Sequence, residues 1–168
     1  MEFSFRKAEL AQQNQIWDIL QQGILRRKND GSDQWQDGYP NANVVEEDLE
    51  NGRGYVLLTG EIVAGYAAIL INDEPEYAKI EGKWLTDSTF VVYHRLAIAD
   101  SFVGQGLSMK ILLAIEEFAV SNNIYSVRAD TNHDNIAMLK IFDKMGYVYC
   151  GEVFFRGSAR KAYEKVLK

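Results

Sequence analysis

The chain has 168 residues, and its 18 Lys and Arg against 24 Asp and Glu give a net charge of −6 at pH 7. This length fits a single domain over residues 1–168, and the acidic balance excludes a protein that works chiefly by binding nucleic-acid phosphates. Cys150 is the only cysteine, so an internal disulfide and CxxC motifs for metal or redox chemistry are excluded, and a reducing cytoplasm is the expected compartment.

Neither a secretory leader nor a membrane span is indicated by the sequence. Residues 1–10 alternate charged and apolar side chains instead of forming a long apolar run. The longest apolar stretch without a charge, residues 62–71, is half the length of about 20 residues that a membrane helix needs. We therefore expect a cytoplasmic protein that does not associate with a membrane, and we expect no bound metal.

The first third of the chain predicts two helices joined by a polar loop. Apolar residues at helical spacing predict a helix over about residues 8–25. Residues 28–40 are rich in Asn, Asp, Gly and Gln and predict a loop. Asn43, followed three residues later by Glu46, is typical of a helix start, so a short helix through Leu49 is predicted.

The middle of the chain predicts the beginning of a sheet. Apolar runs at residues 55–59 and 62–71 flank a Gly-Glu pair, which is typical of an antiparallel hairpin. Residues 72–87 form a polar excursion, after which residues 89–99 predict a third strong strand. Alternation places four side chains of that strand on one face: Val92, His94, Leu96 and Ile98.

The second half of the chain alternates helices and strands. Its best helix begins at Leu107 and carries apolar residues at helical spacing as far as Asn122. The elements that follow are a strand at residues 124–129, a helix at 134–145 and a strand at 147–155. The tail, residues 162–167, predicts either a last strand or a short helix. No repeat, low-complexity tract or linker supports a second domain.

A phosphate site is predicted where the third strand meets this helix. Gly104 and Gly106 lack a Cβ, so the backbone can turn sharply and a phosphate can approach its N–H groups. The first N–H groups of a helix have no internal partner and carry a partial positive charge, which suits an anion even on an acidic protein. Two glycines alone suit a plain tight turn equally well. The GxGxxG and GxxxxGKS/T motifs are absent, so nicotinamide binding and NTP hydrolysis are not supported.

The order of elements and four short motifs resemble the GCN5-related N-acetyltransferase (GNAT) family over residues 54–155. The motifs are Leu96-Ala97-Ile98 for L-x-V, Ser101–Gly106 for Q/R-x-x-G-x-G/A, Asn135 for the Asn before a helix, and Lys144–Tyr147 for K-x-G-F. The resemblance implies an α/β (α+β) fold with a central mixed, mostly antiparallel twisted sheet. In this fold helices flank the sheet, which is splayed between its fourth and fifth strands.

The same resemblance implies transfer of an acetyl group from acetyl-CoA, the acyl-donor co-substrate, to a primary amine of a small molecule or peptide by direct attack. The backbone of residues 96–98 would pair with the pantetheine arm, and the glycine turn would cradle the pyrophosphate. The predicted donor-binding residues are Leu96, Ala97, Ile98, Val103, Gly104, Gln105, Gly106, Leu107, Ser108 and Asn135.

Two positions depart from the family pattern. Ser101 stands where Gln or Arg is usual, which weakens one contact to the pyrophosphate. Phe142 stands where many members carry the tyrosine thought to protonate the leaving thiolate. If that role applies, the chain lacks this acid, and water or another tyrosine, such as Tyr149, would replace it.

A substrate ammonium must lose a proton before its nitrogen can attack, so the reaction needs a base. Three residues are candidates, and the sequence does not choose among them: Glu81, His94 and Asp130. An imidazole suits this task near neutral pH, but a histidine in the middle of a strand is more often a hydrogen-bonded residue of the core. Glu81 fits a solvated position or the recognition of a cationic amine equally well.

Three aromatic residues are candidates for the acceptor site. Trp35 and Tyr39 lie in the loop after the first helix, where the family builds this site, and Trp84 follows Glu81 in the polar excursion. Their rings could stack on a cationic or aromatic substrate, or could only hold a long loop against the core.

Two other functions stay open. One is a non-catalytic acyl-CoA-binding or sensor module of the same fold, which the missing tyrosine favours; the other is a fold used only for protein interaction. Neither nucleic acid nor a membrane is an expected partner. An exposed last strand would offer an edge at which two copies could pair as a homodimer.

Overall fold

Eight strands form one sheet, and four α-helices flank it. The computed structural model describes residues 1–168. The strands are β1 (Ser4–Lys7), β2 (Gly54–Thr59), β3 (Ile62–Ile71), β4 (Glu81–Gly82), β5 (Val91–Ile98), β6 (Ser126–Thr131), β7 (Val148–Phe155) and β8 (Ser158–Val166). The helices are α1 (Gln13–Asn29), α2 (Ala42–Glu50), α3 (Leu107–Ser121) and α4 (Ile136–Met145). Single 3-10 turns occupy Leu10–Gln12, Pro75–Lys79 and Asp100–Phe102.

The strand order is β1-β2-β3-β5-β6-β8-β7-β4, and every neighbouring pair is antiparallel except β5 and β6. This confirms the predicted mixed, mostly antiparallel sheet flanked by helices. β4 has two residues, too few for a sequence pattern to reveal. The sequence also did not predict β1. Counted with β1 and without β4, the fourth and fifth strands that the resemblance implies are β5 and β6 here.

The predicted start of α2 is wrong by two residues. The side chain of Asn41, not Asn43, caps the helix and accepts a hydrogen bond from the N–H of Val44 at 3.0 Å. Asparagine is a favourable N-cap residue, and the sequence offers one at both positions. The local backbone geometry decides which of them caps the helix, and the sequence pattern does not contain that geometry. The predicted hairpin is confirmed, because β2 and β3 pair across a turn at residues 60–61.

A cluster of 32 buried residues joins the helices to the sheet. Its members include Ile16 and Leu20 of α1 and Ile111 and Ile115 of α3. Each buried aliphatic side chain of this size stabilises the fold by roughly 1.5–3 kcal/mol. A smaller cluster lies beneath the polar excursion and consists of Tyr77, Val92, Val153 and Ala162.

β5 carries a bulge at Arg95. Its register with β3 slips by one residue between His94 and Ala97, so two residues of β5 oppose one of β3. Arg95 has a φ of 58°, in the left-handed region. His94 contacts the ring of Tyr77 in the smaller cluster, whereas Ile98 packs on α3. The extra residue reverses the alternation of side chains after His94. The prediction that Val92, His94, Leu96 and Ile98 share one face is therefore wrong.

A buried carboxylate holds this bulge. Asp48 of α2 is fully buried and accepts four hydrogen bonds, from Arg95 at 2.7 and 2.9 Å, Arg53 at 2.9 Å and the Tyr66 hydroxyl at 2.5 Å. Burial lowers the pKa of Arg95, but Tyr39 and Asp48 together raise it above its ordinary value. Burial and Asp48 also raise the pKa of Tyr66, so its hydroxyl keeps the proton that it donates.

β5 and β6 pair only over a short stretch and then separate. Val91 pairs with Val127 and Val92 with Arg128, whereas β5 continues to Ile98. This confirms the predicted splay. It leaves one edge of β5 facing a cleft.

The last strand is not an edge of the sheet. β8 lies between β6 and β7, and the edges are β1 and β4. The expected pairing of two copies along an exposed last strand is therefore wrong, because both sides of β8 already pair with other strands of the chain. No helix combines the length and the apolar character that crossing a membrane requires.

We expect Asp48→Asn to lower the free energy of unfolding by about 3 kcal/mol, because the amide leaves the buried Arg95 without a compensating charge. Glu46→Gln removes a charge from an exposed position on the same helix and should change this free energy by less than about 0.5 kcal/mol. Urea unfolding of both variants measures the difference. Equal stabilities would contradict the role of Asp48.

Candidate active site

Two adjoining cavities open where β5 and β6 separate. The first, the glycine-turn cleft, has a volume of about 280 Å³ and is lined chiefly by residues 96–98, the turn at residues 103–109 and α4. The second, the arginine pocket, has a volume of about 110 Å³ and is named for Arg27, Arg95, Arg156 and Arg160, which line it together with the loop after α1. The residues shared by both cavities are Arg27, Leu96, Asn135 and Met138.

Six consecutive backbone N–H groups, from Gly104 to Met109, donate to no protein acceptor. They stand at the N-terminus of α3, where the peptide dipoles add a partial positive charge. Gly104 and Gly106 have φ values of 88° and 73°, which other residues rarely adopt. A Cβ at either glycine would meet no atom within 4 Å. The turn therefore leaves open space in front of a row of free donors, which is a good anion site.

Nine of the ten predicted donor-binding residues line this cleft: Leu96, Ala97, Ile98, Val103, Gly104, Gly106, Leu107, Ser108 and Asn135. Gln105 is exposed and does not line it. The side chain of Asn135 caps α4, accepting from the N–H of Met138 at 3.2 Å, and donates to Gln34 at 2.9 Å. Asn135 thus ties the start of α4 to the loop after α1.

Arg26 is a cleft residue that the sequence analysis missed. Its guanidinium donates to the carbonyl of Ile98 at 3.0 Å and forms an ion pair with Asp100. It therefore lies along the free edge of β5, next to the glycine turn. The basic residues in the last turn of α1 are the signal that could have identified Arg26. Helix prediction from the spacing of apolar residues does not use them.

The loop after α1 closes the arginine pocket. Gln34 is buried, and its Oε1 accepts from Thr131 Oγ1 at 3.1 Å, Asn132 N at 3.2 Å and Asn135 Nδ2 at 2.9 Å. Asp134 accepts from the Ser32 hydroxyl at 2.6 Å and the Asp33 N–H at 2.9 Å. Burial raises the pKa of Asp134, but these hydrogen bonds and one from Asn132 lower it below its ordinary value. Two acceptors thus fasten the loop to the junction of β6 and α4.

Both aromatic residues predicted in this loop line the pocket. Trp35 is buried, and its ring centre lies 3.7 Å from the guanidinium carbon of Arg27. The ring of Tyr39 lies 4.0 Å from the guanidinium of Arg156, and its hydroxyl accepts from Arg95. Each ring thus carries an arginine over its face.

Arg27 stands between the two cavities. Gly23, one helical turn earlier, makes room for it, because a Cβ there would lie 3.1 Å from Arg27 Nη1 and 3.0 Å from the Trp35 ring. Burial and the neighbouring Arg26 lower the pKa of Arg27 to about 10, against an opposing effect of Asp30. The guanidinium is still charged near neutral pH. Its Nε has no hydrogen-bond partner.

Two of the three candidate bases, His94 and Asp130, line the arginine pocket. His94 Nε2 lies 2.7 Å from Glu74 Oε2, and His94 Nδ1 lies 4.0 Å from Asp130 Oδ2. The Tyr77 hydroxyl donates to Asp130 at 2.6 Å. Burial and Asp130 raise the pKa of Tyr77 well above its ordinary value, so it remains a donor. No group of three or more His, Cys, Asp and Glu side chains is placed to hold a metal ion.

Three predicted site residues lie away from both cavities. Glu81 is exposed on the two-residue strand β4. The ring of Trp84 packs against Tyr77 at a centre distance of 4.9 Å, and its Nε1 donates to the Tyr77 carbonyl. Tyr149 is exposed, with its ring against Tyr163. Their placement gives no geometric support to a role in either cavity.

Phe142 is fully buried and lines neither cavity. Its ring lies 5.1 Å from that of Tyr147 and 4.5 Å from that of Tyr163, measured between ring centres. In this region, the residues that line both cavities are Met138 of α4 and Asn135, the N-cap of the helix. This helix therefore presents no hydroxyl to them.

The model of the acetyltransferase (GNAT) family matches residues 17–147. A solved GNAT-family acetyltransferase from Streptococcus agalactiae is 36% identical over 99% of this chain and 96% of that chain, with a TM-score of 0.90. A GNAT-family acetyltransferase from Listeria monocytogenes is 21% identical over the same shares, with a TM-score of 0.80. A chain of the NatC complex bound to Gag peptide and CoA shares the fold at 12% identity, full coverage of both chains (100%) and a TM-score of 0.71. Among curated proteins nothing matches the chain.

We expect Gln34→Met to lower the free energy of unfolding by about 2 kcal/mol, because the side chain keeps its length but three donors lose their acceptor. Gln36→Met changes an exposed amide of the same loop and should cost less than about 1 kcal/mol. Urea unfolding compares the two variants. The anchoring role of Gln34 fails if both cost the same.

Proposed function

Because the chain belongs to the acetyltransferase (GNAT) family, we propose that it moves an acetyl group from acetyl-CoA to a primary amine by direct attack of the amine on the thioester. The observation that carries this proposal is the row of unpartnered N–H groups from Gly104 to Met109, beside the free edge of β5. A pyrophosphate binds well to such a row, and an extended pantetheine arm can pair with such an edge.

The glycine-turn cleft fits the donor despite the net charge of −6. The backbone N–H groups need no surplus of basic side chains to hold a pyrophosphate. Arg26, which is paired with Asp100, lies at the same end of the cleft. Acetyl-CoA, when bound, supplies an activated thioester. Leu96 lies in the wall that both cavities share, so residues 96–98 would direct the acetyl end of the donor towards the arginine pocket.

The acceptor amine would lose its proton to His94. A hydrogen bond from Nε2–H to Glu74 fixes the ring and leaves the lone pair of Nδ1 free to accept a proton. The distance of 4.0 Å from Nδ1 to Asp130 Oδ2 is too long for a hydrogen bond. It leaves a position at which a substrate ammonium could contact the imidazole and the carboxylate together. The carboxylates would attract the ammonium, and the imidazole would deprotonate it.

Tyr93 would be the hydroxyl that donates to the leaving thiolate. It lines the arginine pocket and is almost fully buried, and its hydroxyl adjoins that of Tyr147. Burial and the neighbouring Tyr147 raise the pKa of Tyr93 well above its ordinary value, so the hydroxyl is protonated and able to donate. Tyr93 would thereby supply a hydrogen bond that Phe142 cannot.

A second candidate function is a non-catalytic acyl-CoA sensor, which the burial of Phe142 favours. The two functions differ in one measurable respect. A sensor binds acetyl-CoA and releases no thiol with any amine, whereas a transferase releases thiol with at least one amine.

We expect Gly106→Trp to weaken acetyl-CoA binding by about 100-fold or more, because the indole would fill the space in front of the free N–H groups. Gly60→Trp is a matched control, since Gly60 also has a positive φ and open surroundings but lies in the β2–β3 turn. Calorimetry with acetyl-CoA measures both. Binding that survives in a folded Gly106→Trp protein would remove the donor site from this cleft.

We expect His94→Ala to lower kcat by about 100-fold or more without changing the affinity for acetyl-CoA, because the variant lacks the base. Added imidazole should restore part of the rate. His133→Ala replaces an exposed histidine and should leave kcat unchanged. Thiol release with the fastest acceptor in a panel of amines and amino acids measures these rates. A His94→Ala enzyme with the rate of His133→Ala would exclude His94 as the base.

A further inference from the structure

The arginine pocket brings four guanidinium groups together, and two of them have only weak or distant protein partners. The four arginines are Arg27, Arg95, Arg156 and Arg160. Two of them are already paired, Arg95 with Asp48 at 2.7 Å and Arg156 with Asp37 at 2.9 Å. Arg27 and Arg160 have no carboxylate at hydrogen-bond distance. The Nε–H groups of these two arginines are buried donors without a partner.

Arg160 is the more completely buried of the two. Its side chain is 8% exposed, and its Nε has no hydrogen-bond partner. The carboxylate of Asp130 lies 3.8 Å from its Nη1, beyond hydrogen-bond distance. A buried guanidinium with unmet donors is costly unless something else accepts from it. Arg160 therefore marks a place in the pocket where an anionic group of a ligand would be stabilised.

Arg27 supplies a second guanidinium with weak protein partners. It donates to the carbonyls of Gly23 and Leu96 at 3.3 and 3.5 Å, both at the long end of the hydrogen-bond range. Its Nε, like that of Arg160, has no partner. Stacking on Trp35 fixes the plane of the guanidinium. A planar, oriented guanidinium of this kind is well suited to a carboxylate.

Acidic groups stand next to these arginines. Asp130 lies between the candidate base and Arg160, with Oδ2 4.0 Å from His94 Nδ1 and Oδ1 3.8 Å from Arg160 Nη1. An amine beside His94 and an anion beside Arg160 would thus face two oxygens of one carboxylate group. They would belong to one small molecule, in which few bonds separate the amine from the anion. Glu74, on the other side of His94, adds a second negative charge for the ammonium.

We infer, on the basis of the proposed function, that the acceptor is a free amino acid, whose carboxylate binds Arg160 and Arg27 and whose ammonium binds between His94 Nδ1 and Asp130. A zwitterion matches both signs of charge in the pocket. A simple amine satisfies only the acids and leaves the Nε–H groups of Arg27 and Arg160 without an acceptor. A phosphate group would bring two negative charges close to Glu74 and Asp130.

A volume of about 110 Å³ suits an acceptor of few atoms, and most of a longer peptide would lie outside it. A peptide N-terminus carries an amide where a free amino acid carries its carboxylate. That amide has no charge with which to pair the guanidiniums. The carboxylate is therefore the group that distinguishes the inferred acceptor from a peptide.

The transfer step balances with the groups at hand. The ammonium gives one proton to Nδ1 of His94, and the neutral nitrogen forms a bond to the acetyl carbonyl carbon. The C–S bond breaks, and the thiolate leaves with the electron pair. The second proton of the nitrogen neutralises the thiolate. The products are an N-acetylamino acid, free CoA thiol and a proton on His94, which returns to solvent.

The first test compares matched acceptors with the wild-type enzyme. Each proteinogenic amino acid is assayed for thiol release from acetyl-CoA beside its carboxamide and its decarboxylated amine. We expect kcat/KM for the best amino acid to exceed that of both analogues by about 100-fold or more, because a site built for a charged group rejects molecules that lack it. The amide has the more readily deprotonated amine, so intrinsic reactivity works against this result. An analogue that reacts as well as its amino acid overturns the inference.

The second test removes the guanidinium. Arg160→Gln should lower the ratio of kcat/KM between the best amino acid and its carboxamide by about 30-fold or more, mainly through the KM of the amino acid. Arg6→Gln, an exposed arginine of β1, should keep the wild-type ratio. An unchanged ratio in folded Arg160→Gln overturns the inference, and if this variant does not fold, the comparison of wild-type acceptors still decides.

A binding measurement separates failure of this inference from failure of the proposed function. Calorimetry titrates the amino acids and their carboxamides into the protein without acetyl-CoA. Amino-acid binding that the carboxamides do not share supports the inference even if acetyl-CoA fails to bind, which would sink the proposed function alone. Thiol release only with amines that lack a carboxylate overturns the inference and keeps the proposed function. Absence of both amino-acid binding and amino-acid acetylation also overturns the inference.

Discussion

The buried carboxylate of Asp48 holds β5 in the form on which both cavities depend. Arg95 adopts a left-handed backbone conformation, and two hydrogen bonds to Asp48 fix its guanidinium. The bulge at this position turns Leu96 into the wall that the two cavities share. A carboxylate that is fully buried, with arginines and a tyrosine as its only partners, allows no alternative arrangement at low cost. The ion pair thus locks α2 to β5 at the point where β5 leaves β6.

The two cavities stabilise charge by different means. In the glycine-turn cleft the donors are backbone N–H groups, which carry no net charge and cannot reorient. In the arginine pocket the donors are side chains that rings and carboxylates hold in place. Preorganisation of either kind lowers the cost of ordering groups at the moment of binding. These two means of stabilising charge are how an acidic protein would bind the anion and the zwitterion that we propose.

The sequence predicts the part of the site that is local in the chain. A strand, a turn with Gly104 and Gly106, and a helix occur in one continuous segment. The glycines alone suit a plain tight turn equally well, and the resemblance to the family is what indicates the cleft. The bulge at Arg95 escapes prediction because an extra residue leaves the run of apolar side chains intact while it reverses their faces. The arginine pocket escapes because Arg160 and Glu74 lie far apart in sequence and join only through sheet pairing and a turn. The one signal of the bulge in the sequence is Arg95 itself, an arginine inside the largely apolar strand β5.

Gly23 lowers the stability of α1 and makes room for the charged side chain of Arg27. A glycine inside a helix costs about 1 kcal/mol relative to alanine, and this one lies in the middle of α1. A methyl group there would press on the ring of Trp35 and on Arg27, so the glycine is what lets these two side chains stack against the helix. The stack keeps the Arg27 guanidinium between the cavities whichever acceptor it has. Its long contacts to backbone carbonyls can then be exchanged for a stronger anionic partner with little rearrangement. Gly23 thus lowers the stability of α1 but allows the charge of Arg27 to be held in a fixed position. Such an arrangement is expected where the position of the charge matters to the chemistry.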